Sequence, residues 1–104
     1  MAWIILLVAG LLEVGWAFTM KLSDGFTKLG FSVITIITVV TSFILLSISM
    51  KTLPLGTAYT VWTGIGAVGA FTVGVIFLGE SLTFARVLSA LLIISGLLLM
   101  KLSS

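Results

Sequence analysis

The chain has 104 residues; 61% are hydrophobic and 8% charged, with five Lys and Arg against three Asp and Glu for a net charge of +2. A soluble domain carries about 25% charged residues, whereas a disordered chain needs low hydrophobicity and high charge, so this composition excludes both. Cysteine and histidine are absent, which excludes a disulfide framework, a zinc finger, a thiol nucleophile and an imidazole base. What remains is an all-α integral membrane protein, most of it inside the bilayer.

A helical span needs about 20 mostly apolar residues, and the charges divide the chain into four such runs. Residues 1–20 carry one charge, Glu13, and then Lys21, Asp24 and Lys28 cluster around Gly25 in the polar turn KLSDGFTK. Residues 29–50 carry none, and Lys51 with Pro54 marks the next break. Residues 55–79 are again uncharged, Glu80 and Arg86 bracket GESLTFAR, and Lys101 stops a last apolar run. The predicted spans are therefore about 2–20, 30–50, 55–78 and 83–101, with Arg86 snorkelling to the interface. They form a single transmembrane domain over residues 1–104 and leave no room for a soluble one. The first run lacks a basic leader and reads as a span, not as a cleaved signal. The alternation that a β-barrel requires is missing.

Four spans put both termini on one side. That side has Lys51 and Lys101; the other has Lys21, Lys28 and Arg86. Two against three gives the positive-inside rule almost nothing to act on. Either one orientation is favoured slightly, or the chain inserts both ways and pairs antiparallel with itself. Inverted repeats within larger transporters achieve the same symmetry in one chain.

Glu13 is the only acid well inside a predicted span, where a carboxylate costs at least a few kcal/mol. Its alternatives are a helix end nearer than the apolar flanks suggest, a structural hydrogen bond, and a site for a cation, a proton, or both in turn. A single carboxylate does not hold a proton and a cation comfortably together. That competition is sufficient for exchange without ATP, and the chain has no Walker-type loop. Ala9, Gly10, Trp16 and Ala17 share the face of Glu13 at three or four residues' distance. The small ones permit close approach, and Trp16 offers a π face to a cation or serves as an interfacial belt residue. Trp3, at the helix end, reads as a belt residue.

In the second span, Ser42 has a hydroxyl that can donate to a carboxylate or bond back to its own helix. In the third, Tyr59, Trp62 and Thr63 share a face at i, i+3 and i+4, again as a site or as a belt. Gly64, Gly66 and Gly69 match GxGxxG by letter, but no strand precedes them, so a dinucleotide site is rejected. They allow a bend or close packing across a dimer. Ala85, Ser89 and Gly96 form a stripe of small residues in the fourth span, a candidate dimer contact. No catalytic residue, metal, cofactor or nucleic-acid partner is expected.

Taken together, AGLLEVGWAFTMK, GFTKL, KTLPLGTAYTVWTGIGAVGA and LGES resemble the small multidrug resistance transporters over essentially the whole chain. The resemblance implies a four-helix antiparallel homodimer of the bacterial plasma membrane that exchanges cations for protons. Trp16 and the WTGIGAVGA segment look like the guanidinium-exporter branch; the promiscuous branch has a small residue at the first place and another glycine pattern at the second. Carried over residue by residue, the resemblance implies that Glu13 binds substrate and protons and that Trp16, Tyr59 and Trp62 line the site. It also implies that Ser42 hydrogen-bonds Glu13 and that Gly10 gives the carboxylate clearance. Guanidinium chemistry agrees: its paired N–H groups match a carboxylate and its flat face stacks on indole. The runner-up is a quaternary ammonium exporter of the same fold. A structural subunit and a channel are rivals from other classes, and an enzyme is the least expected.

Overall fold

A computed structural model describes residues 1–103. Four helices follow one another: α1 (Ala2–Leu22), α2 (Leu29–Ser49), α3 (Leu55–Phe77) and α4 (Phe84–Leu102). At about 1.5 Å per residue, helices of 19 to 23 residues match a hydrocarbon layer about 30 Å thick. All four are apolar enough to cross it. The α1 N-terminus, the α2–α3 link and the α4 C-terminus share one end of the bundle. The α1–α2 and α3–α4 links share the other.

The links follow from their residues. After α1, Asp24, Gly25 and Phe26 all take left-handed backbone, with φ of 52, 70 and 66°. Ser23 holds this turn: its hydroxyl donates to the Met20 carbonyl at 2.6 Å and accepts from the Phe26 amide at 3.1 Å. Pro54 stands before α3 with φ of −60°, a position where its missing N–H costs nothing. Helix α3 ends where the amides of Leu78 and Glu80 both donate to the Gly74 carbonyl at 3.1 Å, with Gly79 at φ 68°. Thr83 then caps α4 by accepting from the Arg86 amide.

Helix α1 packs on both α2 and α3, and α4 packs on α3. The result is a slab of 41 × 34 × 16 Å. Its core is small: Leu6 and Ala9 of α1, Leu46 of α2, and Ala58, Val61 and Trp62 of α3. In lipid, apolar burial drives helix association little; close packing and hydrogen bonds take its place. The chain uses both. A Cβ on Gly10 would lie 2.7 Å from Ile65, and side chains at Gly64 and Gly69 would collide with Leu97 and Val14. The Thr19 and Thr35 hydroxyls meet at 2.7 Å between α1 and α2.

These contacts give the glycines of α3 a role inside the chain. Helix α3 runs unbroken through Gly64, Gly66 and Gly69, and their close neighbours belong to α1 and α4 of the same chain. On α4 no residue is buried. Ala85, Ser89 and Gly96 are exposed, Gly96 has open space beside it, and Ser89 bonds back to the Ala85 carbonyl at 2.8 Å.

Candidate functional site

Glu13 sits in the second half of α1, on the side that meets α3. Its side chain rests on the Gly66 backbone, where any Cβ would overlap the carboxyl group. Its Oε1 is buried and has no hydrogen-bond partner among the described residues. One turn further along, the Trp16 indole nitrogen is likewise buried and unpartnered. An orphan acceptor and an orphan donor thus lie three residues apart on one helix. Buried polar groups ordinarily find partners, which makes this pair a candidate for ligand contact.

Beside it lies a hydrogen-bond chain joining three helices. Trp62 of α3 donates its indole N–H to Ser42 Oγ at 3.1 Å. Ser42 of α2 in turn donates to the Ala9 carbonyl of α1 at 2.7 Å. The Ala9 carbonyl is also the i−4 acceptor for the Glu13 amide in helical geometry. Ser42 is fully buried and Trp62 is 6% exposed. Phe43 meets Trp62 edge-on at 5.6 Å, and the Tyr59 ring lies tilted to the same indole at 5.6 Å.

Two expectations change on this geometry. Ser42 has one proton, and it goes to the Ala9 carbonyl; the implied Ser42–Glu13 hydrogen bond is not formed. Gly10 is buried against Ile65, so the clearance beside the carboxylate comes from Gly66 instead. Gly66 escaped sequence reasoning as a site residue because its role depends on the register of α1 against α3. Its signal was a glycine amid the apolar third span.

The remaining candidates divide. Trp16 shares the Glu13 helix face and packs on the core. Tyr59 is 53% exposed. With Thr63 it opens onto an apolar groove of about 530 Å³ between α3 and α4, whose far wall includes Ile93, Gly96 and Leu97. The candidate site therefore has an inner part at the partly buried Glu13 and the buried Ser42 and Trp62, and an open flank at Tyr59 and Thr63.

Four apolar helices with a lone carboxylate held mid-span define a polytopic membrane protein built around an intramembrane acid. Residues 1–93 match the family described as Small Multidrug Resistance protein, and the chain belongs to that family. Curated relatives cover it from end to end. A guanidinium exporter of Salmonella typhi is 58% identical over 104 residues, covering 100% of this chain and 99% of its own. Guanidinium exporters of Citrobacter freundii and Yersinia pseudotuberculosis are 56% and 55% identical, also over 100% of this chain and over 99% and 100% of theirs. The chain is thus a multi-pass protein of the bacterial inner membrane and belongs among transporters rather than enzymes.

Proposed function

We propose that this chain is a proton-coupled antiporter that exports guanidinium and small substituted guanidinium cations, working as an antiparallel homodimer inserted in both orientations. The observation that carries the reading is the Glu13 carboxylate, seated on Gly66 with a buried oxygen that no group among the described residues satisfies. A proton or a planar cation with two N–H donors supplies what that oxygen lacks. The two ligands exclude each other, so entry of one from either side releases the other.

The relatives' names support guanidinium as the cargo. The bare face of α4, with Ala85, Ser89 and Gly96 exposed, supports pairing with a second chain through that helix. Two Glu13 carboxylates then face a common chamber lined by Trp16, Ser42, Tyr59, Trp62 and Thr63. An antiparallel pair exchanges its inward and outward forms by swapping the roles of identical protomers.

Solid-supported membrane electrophysiology tests the reading. With both carboxylates of the proposed dimer releasing their protons for each cation bound, proteoliposomes of the wild type should give capacitive currents on guanidinium addition, with proton movement in the opposite direction. Glu13→Gln should give neither. Tetraalkylammonium at equal concentration should give smaller currents. Currents that persist in Glu13→Gln, or that ignore the proton gradient, refute antiport; larger currents with tetraalkylammonium reassign the cargo to quaternary ammonium.

A further inference from the structure

At the end of the bundle that carries the α1 N-terminus, two neighbouring cavities share part of their lining. The outer one, about 510 Å³, is lined by Thr52, Leu53 and Pro54 of the α2–α3 link and by Met100 and Ser103. The inner one, about 260 Å³, runs between α1, α3 and α4 and is walled by Leu7, Val61, Ile65 and Leu98. Trp3 and Lys101 line both. The Lys101 ammonium stands 5.4 Å from the centre of the Trp3 ring, which holds the cation where the two linings overlap.

We propose that this compound cavity is a binding site for one anionic phospholipid, with its phosphate at Lys101 and one acyl chain in the cleft beneath. Three observations converge. The outer cavity sets the side chains of Thr52 and Ser103 beside Lys101 among apolar neighbours, while the inner one is walled by apolar side chains apart from Lys101, an arrangement that suits a headgroup above a hydrocarbon chain. Trp3, in the first turn of α1, and Lys101, in the last turn of α4, lie at interfacial depth, where aromatic and basic side chains meet headgroups. This end also carries no acidic side chain. Of the chain's three acidic side chains, Glu13 is mid-span, and Asp24 and Glu80 belong to the links at the opposite end. Among the described residues the Lys101 ammonium makes no ion pair and faces the Trp3 ring.

Occupancy would have a structural effect. Helix α4 packs on α3 and buries none of its own residues. A lipid in the cleft bridges α1 to the end of α4 and fixes how α4 stands against the core.

Native mass spectrometry of the full chain tests this. Protein is released from detergent carrying phosphatidylglycerol or phosphatidylcholine with identical acyl chains. The dimer should retain phosphatidylglycerol preferentially. Lys101→Gln should lower that retention about fivefold, as expected for one basic residue near a headgroup. Lys51→Gln, at the same end but outside the cavity lining, should leave it unchanged. Leu98→Trp, on a residue that is 61% exposed, should obstruct the cleft and reduce retention with Lys101 intact. Equal retention of the two lipids, or a preference that survives Lys101→Gln, overturns the proposal. Lys101-dependent binding of inorganic phosphate as strong as that of the lipid reassigns the site to a free anion. Lipid on the monomer but never on the dimer reassigns the face to a second copy of the chain.

Discussion

Glu13 of α1 lies directly on Gly66 of α3, so that the acid occupies the volume a side chain at position 66 would take. The absence of one Cβ therefore makes room for the charge-bearing group. Gly66→Ala should push the carboxyl group off its seat and strain the α1–α3 contact. Overpacking of this kind costs about 1–3 kcal/mol. Thermal unfolding in detergent should show the loss, with guanidinium-driven transport falling further than folded yield. Transport and melting both at wild-type level would show that the two residues are not in contact.

If proton and cation compete for Glu13, as proposed, the sign of the pH dependence is fixed. Lowering the pH fills Glu13 with protons, so the apparent Kd for guanidinium should rise; raising the pH should lower it until protons no longer compete. Isothermal titration at a series of pH values checks this. A Kd that stays flat from acid to alkaline pH removes the competition.

Ser42 is the middle of the Trp62–Ser42–Ala9 chain. Ser42→Ala leaves a buried indole N–H without an acceptor, at a cost of about 1–3 kcal/mol. Trp62→Phe removes that donor and leaves Ser42 bonded to Ala9, so the hydrogen-bond part of its cost should be smaller. The double variant should lose less than the sum of the singles. Strict additivity in denaturation experiments would break the chain into unrelated parts.

Tyr59 is half exposed, and its hydroxyl makes no hydrogen bond among the described residues, although its ring leans on Trp62 at 5.6 Å. Tyr59→Phe should therefore leave the melting temperature unchanged. If the phenol changes partners as the protomers swap roles, the variant should bind guanidinium normally and turn over slowly. Turnover equal to the wild type confines Tyr59 to the wall.

The Glu80–Arg86 ion pair at 3.1 Å has side chains 41% and 37% exposed, and surface pairs contribute about 0.2–1 kcal/mol. Arg86 also donates to the Ser81 carbonyl at 2.7 Å and covers the Phe71 ring at 5.0 Å. Glu80→Gln should be nearly silent in thermal melts, and Arg86→Ala more damaging. The reverse order would place the weight on the acid.

The four spans were legible because charges and Pro54 interrupt runs that are otherwise almost purely apolar; hydrocarbon tolerates few exceptions, so each exception is informative. Glu13 stood out for the same reason. What the sequence left hidden depends on register between helices. Ser42 could bond to its own backbone or to the acid by residue type alone. In the fold it does neither, because α2 places it against the Ala9 carbonyl. Gly10 and Gly66 look interchangeable as small residues near the acid, yet one meets Ile65 and the other the carboxyl group. Periodicity assigns each residue a side of its own helix and says nothing of how far neighbouring helices are shifted along their axes.

The glycines at the α1–α3 seam reverse the usual logic of mutational mapping. Truncation to alanine probes what a large group contributes, but here much of the fit comes from missing atoms at Gly10, Gly66 and Gly69. A survey that adds one methyl at a time along α3 would trace this seam as a row of intolerant sites. It would yield the helix register from genetics alone, before any further coordinates were determined.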